Sequence, residues 1–132
     1  YETKCKLDEG TKSWKIFGLI LNGKSLTEPY KICPQIIDKL LKIPNIINAG
    51  FSCFEPGAQT DLHRGYNNKI LRCHIPLIIP SGDTAIKVGF KQLNFNDIAL
   101  SSGYFIFNDS CLHQSWNNTD KKRIILIIDL KK

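Results

Sequence analysis

Ile70-Leu71-Arg72-Cys73-His74-Ile75-Pro76-Leu77-Ile78-Ile79, followed by Pro80-Ser81-Gly82-Asp83, is the stretch that decides how this chain folds. Leu71, Cys73 and Ile75 alternate with Arg72 and His74, and apolar residues then fill both faces. That is the pattern of a long strand buried on one side first and on both sides later, closed by a turn. Working outward, Ala49 to Phe54 reads as a strand ending at Pro56-Gly57. Ala85 to Phe90, Asp97 to Leu100, Tyr104 to Phe107 and Arg123 to Leu130 read as further strands, with Ser101-Ser102-Gly103 as a turn among them. Short strands at this spacing predict an all-β sandwich or barrel.

Upstream the reading is mixed. Lys4 to Lys15 is polar and edge-like, and Trp14 to Leu21 reads as a strand. Asn22-Gly23 is the strongest hairpin signal in the chain. Cys33-Pro34 opens one helix, because proline suits the first helical position. Ile36, Ile37, Leu40 and Leu41 give that helix an apolar face, and Pro44 stops it. The expected architecture is therefore mainly β with one packed helix, a single domain over residues 1–132.

The 132 residues carry 18 Lys and Arg against 12 Asp and Glu, a net charge of +6. Such a surface attracts anionic ligands, so an acidic peptide or small-molecule substrate is the expected partner. The lysines are dispersed, without the basic block or interleaved aromatics of a nucleic-acid binder, and nucleic acid is not expected. The longest apolar runs, Ile75 to Pro80 and Ile124 to Ile128, are strand-sized, so no membrane span is expected. Five cysteines without a C-x-x-C pair argue against a zinc finger and for free, mostly buried thiols in a reducing, cytoplasmic setting. One disulfide is left open for a secretory chain. Asn117-Asn118-Thr119 and Asn108-Asp109-Ser110 match the glycosylation sequon, a pattern short enough to recur by chance. The chain begins at Tyr1 and lacks methionine, which is expected of a fragment or a processed product.

Two histidines sit in polar turns beside strand-like sequence. His63 lies in Pro56 to Gly65 and His113 in Phe107 to Trp116, with Arg123 ten residues later opening an apolar strand. Imidazole ligates iron(II) well, and a buried arginine can clamp a carboxylate with two parallel bonds. Asp61 and His63, two apart in extended chain, share a face and form an alternative chelating pair. Asp109 is expected to accept backbone N–H bonds in its turn or to orient His113.

Taken together, Ser52-Cys53-Phe54-Glu55-Pro56-Gly57-Ala58, His63-Arg64-Gly65, Asn68, Leu71 to Pro80, Val88-Gly89, Gly103, Phe107-Asn108-Asp109-Ser110, His113, Trp116 and Arg123 resemble the aspartyl/asparaginyl β-hydroxylase family, from about Trp14 to Asp129. The resemblance implies a double-stranded β-helix (a cupin-like jelly roll) and an iron(II)- and 2-oxoglutarate-dependent dioxygenase using O₂. It makes His63 and His113 the metal ligands and catalytic centre. It gives Arg123 and Ser52 the distal carboxylate of 2-oxoglutarate, and Arg72 and His74 carboxylates of cosubstrate or substrate. Gly65 stands where many related oxygenases place a third, carboxylate ligand, so a water is expected at that position. The implied reaction is hydroxylation of an unactivated C–H, first of all the β-carbon of Asp or Asn in a polypeptide. Free amino acids and lipid acyl chains are alternative substrates. A non-catalytic metal-binding jelly-roll module, and a cupin-like isomerase or hydrolase needing no 2-oxoglutarate, are alternative functions.

Overall fold

The structure, a computed structural model, describes residues 3–5, 14–65 and 68–132. The polar segment expected between Lys4 and Lys15 lies mostly outside them, with β1 (Thr3–Cys5) placed as an edge strand on β2 (Trp14–Leu21). At the centre of the larger sheet is β10 (Arg123–Lys131), flanked by β4 (Ile46–Phe54) and β5 (Ile70–Ile78). The order β1-β2-β4-β10-β5-β8 is antiparallel throughout, β8 being Phe105–Asn108, with the short β3 (Lys24–Ser25) also on β2. A second sheet, β7 (Lys91–Asn94), β6 (Thr84–Val88) and β9 (His113–Asn117), lies opposite. Isolated bridges Gln59↔Trp116 and His63↔His113 add the 59–63 segment to its free edge. Two facing antiparallel sheets are the sandwich expected from the strand pattern and the jelly roll implied by the resemblance.

The Asn22-Gly23 hairpin forms as read. Both residues have positive φ, 52° and 77°, and Leu21 pairs with Lys24 across a two-residue turn. The helix content departs from the expectation of one. Besides α2 (Pro34–Leu41) there are α1 (Thr27–Ile32) and α3 (Phe95–Leu100). Asp97 to Leu100 therefore belongs to a helix and not to a strand. The Asn94 side chain accepts the Asn96 N–H at 2.8 Å and starts that helix, while Phe95 and Ile98, three apart, bury one face. A run of three apolar residues after Asp97 cannot separate those two outcomes.

One core cluster packs Ile37 and Leu40 of α2 against Leu19, Cys73, Leu126 and Ile128 of the large sheet. A second lies between the sheets, where Ile86, Phe107 and Ile125 meet Phe95 and Ile98 of α3. Cys33, Cys53, Cys73 and Cys111 are free thiols, of which only Cys73 is fully buried and Cys111 is exposed; Cys5 lies outside the described side chains. Asn117 of the sequon is 0% exposed and its side-chain amide donates to Phe54, Glu55 and Lys121 carbonyls, so it is not an accessible acceptor for glycan. No helix among the described residues is long and apolar enough to cross a membrane.

Candidate active site

Strand register sets the two ends of the space between the sheets. Arg123 pairs with Phe54 at one end of β10, and Asp129 pairs with Asn48 and Arg72 at the other. On the facing sheet Thr84 pairs with Asn117 at the first end, whereas Val88, His113 and His63 form a row at the second. Side chains of both sheets, Ser52, Arg72, His74 and Arg123 from the larger and His113 and Ser115 from the smaller, line one pocket together with His63. All six residues expected at the site are thus brought together.

The imidazoles of His63 and His113 lie edge to face, their centroids 4.2 Å apart. Their backbones exchange N–H···O bonds of 3.0 and 2.9 Å, which fixes the pair in register. Each Nδ1 lies 2.7 Å from a carbonyl two residues earlier, Asp61 for His63 and Cys111 for His113. A carbonyl only accepts, so each Nδ1 carries a proton, and in the neutral ring that leaves the lone pair on Nε2. That is the arrangement in which backbone groups orient imidazoles for a metal. Burial lowers the His113 pKa, with the Cys111 carbonyl acting the other way and His63 adding to the lowering, so this ring is neutral near pH 7. His113 is not the turn residue it was expected to be. It opens β9, is 5% exposed, and packs on Phe107 at 5.0 Å between centroids. β9 hides from hydropathy because its buried alternate residues, His113, Ser115 and Asn117, are polar.

Asp109 stands beside His113, as expected, but Asn108 and not Asp109 supplies the side-chain acceptor of the turn. Asn108 supplies the turn, accepting from Ser110 N at 3.0 Å and Ser110 Oγ at 2.8 Å, and the Cys111 carbonyl orients His113. The Asp109 carboxylate is buried, with Oδ1 3.1 Å from Arg72 Nη1, a charge contact without good hydrogen-bond geometry, and 3.8 Å from His113 Nε2. It also explains Gly65. A Cβ on Gly65 would run into the Asp109 carboxylate and stand 2.9 Å from the Asp109 carbonyl oxygen. The space that a side chain on Gly65 would enter is filled by the Asp109 carboxylate, from the turn that follows β8. Gly65→Asp therefore cannot simply restore a ligand there. Gly65→Ala is expected to lower stability by about 1–3 kcal/mol, the usual cost of overpacking. Thermal melting checks this, and an unchanged melting temperature would show that Asp109 moves aside freely.

Arg72 is engaged within the protein. Its Nε and Nη2 donate to the two Asp129 oxygens at 2.8 and 3.1 Å, and Nη1 meets Asp109. Burial works against its charge, but Asp129 and Asp109 outweigh burial and hold its pKa above the ordinary value. His74 is 6% exposed, its Nδ1 has no hydrogen-bond partner among the described residues, and it stacks on Phe95 with Phe107 at its edge. Burial, with Arg123 and Arg72 adding repulsion, keeps its pKa well below the ordinary range and the ring neutral.

Arg123 is 1% exposed. Its Nη1 donates to Ser115 Oγ at 3.0 Å and the Trp116 carbonyl at 3.1 Å, with Thr84 Oγ1 at 3.4 Å. Its Nε has no partner, its guanidinium carbon lies 3.9 Å from the Phe54 ring centroid and 4.4 Å from that of Phe95, and no carboxylate among the described residues pairs with it. Burial draws its pKa down to about 9, still charged at pH 7. Ser52 is 1% exposed; its Oγ accepts from Trp14 Nε1 at 2.8 Å, which leaves the hydroxyl proton to donate. Trp14, Thr84, Ser115 and Asp129 were not foreseen. Asp129 could have been, since Arg123, Ile125, Ile127 and Asp129 alternate along one strand and so share its inner face.

Two facing antiparallel sheets, with an imidazole pair and a buried arginine in the space between them, form a cupin-like jelly roll. The same fold is found, at 10% identity and a TM-score of 0.60, in a protein described as a predicted oxalate decarboxylase from Thermotoga maritima, over 99% of this chain and 92% of that one. A cupin-2 domain from Rhodospirillum rubrum superposes with a TM-score of 0.57 at 12% identity, over 100% of this chain and 70% of that one. Residues 1–132 match the aspartyl/asparaginyl beta-hydroxylase family, and the chain belongs to that family. Among curated relatives, the ornithine lipid ester-linked acyl 2-hydroxylase of Rhizobium tropici is 36% identical over 121 residues, 90% of this chain and 42% of that protein. The aspartyl/asparaginyl beta-hydroxylase of Homo sapiens is 26% identical over 122 residues, 89% of this chain and 16% of that protein. The chain thus spans less than half the length of these two relatives. Its homologues are hydroxylases acting, by name, on peptide or lipid substrates.

Proposed function

We propose that this chain is an iron(II)- and 2-oxoglutarate-dependent hydroxylase. The observation that carries the reading is Arg123, a fully buried cation without a carboxylate, in the same pocket as two imidazoles whose Nε2 lone pairs are left over. A buried charge of this kind costs several kcal/mol unless an anion meets it, which fits a dicarboxylate cosubstrate. Among the described residues no three His, Cys, Asp or Glu side chains gather as a complete metal-ligand set. The donor set that fits is the imidazole pair alone, with other coordination positions left to cosubstrate and solvent.

Held by His63 and His113, iron(II) would supply, with 2-oxoglutarate and O₂, the oxidising power for hydroxylating a substrate C–H, with succinate and CO₂ as co-products. The protein's own groups bind and orient. Arg123 and the Ser52 hydroxyl take the distal carboxylate, and His74, with its unpartnered Nδ1, offers a neutral hydrogen bond to a second oxygen of the cosubstrate. Arg72 acts from one step back, holding Asp109 against the imidazoles and Asp129 at the pocket edge. Phe54 and Phe107 wall the pocket and keep water from the reacting centre, with Phe95 packed behind Arg123 and His74.

The substrate reading supported best is an extended acyl chain. A groove of about 330 Å³ adjoins the pocket, sharing Trp14, Arg72 and Ile127 with it. Its apolar walls include Ile16, Ile20 and Leu26, with the paired Gly18 and Gly50 beside them and Asn48, Arg72 and Asp129 as its polar members. Such a trough suits a hydrocarbon chain. An Asp or Asn residue of a polypeptide is the second reading, supported by Arg72, whose guanidinium stands where groove and pocket meet. Succinate release with iron(II) and ascorbate tests both. Release several-fold above background is expected with an acylated amino-lipid, together with a lipid product heavier by one oxygen. Stimulation by Asp- or Asn-containing peptides alone would favour the second reading. Iron binding without succinate from any substrate would leave a binding module, and turnover without 2-oxoglutarate an isomerase or hydrolase.

A further inference from the structure

The end of the jelly roll that carries His63 and His113 has a second property. It is ringed by exposed apolar and basic side chains. The β6–β7 turn, Gly89-Phe90, follows Val88, which pairs with His113. Gly89 N donates to the Leu112 carbonyl at 2.8 Å, so Phe90 and Leu112 stand side by side at the rim. Phe90 is fully exposed and Leu112 is 37% exposed. Across the opening, the hairpin at Asn22-Gly23 carries Leu21, 52% exposed, where Asn22 N meets the Asn48 side chain.

Basic residues share this end. Lys24 closes the Leu21 hairpin, Lys91 pairs with Val88, Arg64 follows His63, and Lys131 and Lys132 follow Asp129; all are exposed. Among the described residues the acidic groups there are Asp109 and Asp129, buried and held by Arg72, and Asp61, which is exposed two residues before His63. The Arg123 end is balanced instead, with Lys15, Lys121 and Lys122 set against Glu55, Asp83 and Asp120, and ion pairs of 3.3 and 3.6 Å from Lys15 and Lys122 to Glu55. An isolated exposed leucine needs no explanation. Three apolar side chains set among five cations, all at the opening of the pocket, match what holds a protein on an anionic bilayer.

We propose that this rim docks on an anionic lipid surface, with Phe90, Leu112 and Leu21 entering the interface and Lys24, Arg64, Lys91 and Lys131 facing lipid headgroups. The pocket and its apolar groove then open onto the membrane. The use of such docking rests on the acyl-chain reading above; the docking itself does not, and it is measured without iron or 2-oxoglutarate. The apolar residues favour a bilayer over an acidic polypeptide, which would meet the same cations but has no use for a solvent-projecting phenylalanine.

The chain is sedimented with vesicles of phosphatidylcholine, with and without phosphatidylglycerol. It should bind the anionic vesicles, more weakly as salt is raised. Phe90→Ser with Leu112→Ser should reduce binding about tenfold or more, the scale of exposing one large apolar side chain. Arg64→Glu with Lys91→Glu should also weaken binding. Ile78→Ser and Lys122→Glu, at the Arg123 end, should leave it unchanged, and matching melting temperatures would confirm that each variant is folded. Three results would overturn the proposal. These are no binding to anionic vesicles, binding indifferent to Phe90 and Leu112, or binding that polyglutamate abolishes equally in the wild type and the Phe90/Leu112 variant.

Discussion

Arg123→Ala is expected to weaken 2-oxoglutarate binding roughly ten- to a hundredfold or more. A charge-assisted, two-pronged bond is worth ~1.5–3 kcal/mol, and each 1.4 kcal/mol is a factor of ten. Iron affinity measured without cosubstrate should change little, because Arg123 touches Ser115, Trp116 and Thr84 and neither imidazole. Arg123→Lys should rescue only in part, since an ammonium lacks the planar fork. Stability should move the other way. The groups that accept from Arg123 keep other partners, as Ser115 Oγ donates to the Ala85 carbonyl and Thr84 Oγ1 to the Trp116 carbonyl. Arg123→Met therefore removes a buried charge without stranding a polar group, and is expected to stabilise the free protein by about 1–4 kcal/mol. Saturating 2-oxoglutarate should raise the wild-type melting temperature and leave that of Arg123→Met unmoved. Calorimetric titration and thermal melting read both effects. Equal 2-oxoglutarate affinity in wild type and Arg123→Ala would remove this residue from the cosubstrate site.

The second large effect is on the metal. Losing a residue that merely orients a ligand typically costs ten- to a hundredfold in affinity, so losing one of two protein ligands is expected to cost roughly a hundredfold or more. His63→Ala isolates that effect, because His63 is half-buried at the edge of the small sheet. His113→Ala also opens a gap beside Phe107 inside β9, so its fold must be checked and His113→Gln measured beside it. Anaerobic iron(II) titration decides the matter; unchanged affinity in folded His63→Ala would remove that imidazole from the metal.

How much of this was legible follows from the physics of each element. The alternation from Leu71 to Ile75 and the Asn22-Gly23 turn are local signals, and both stand in the structure. The pocket residues Ser52, Arg72, His74 and Arg123 were found through motif order, because each lies on a strand whose alternation aims it inward. β9 escaped because its buried face is His113, Ser115 and Asn117, a polar face that hydropathy reads as loop. α3 escaped because a capped six-residue helix and a short strand look alike in three apolar letters, Ile98 to Leu100. The partnership of Asp109 with Gly65 and Arg72 was beyond reach, since it joins residues forty-odd and thirty-odd positions apart and depends on how two sheets face.

Titrating 2-oxoglutarate into the wild-type protein anaerobically, with and without iron(II), tests the central claim most directly. The expected result is tight, saturable binding at one site per chain that needs the metal and is weakened by Arg123→Ala. Absence of binding to the iron-loaded protein, or the same affinity with and without iron, would contradict it.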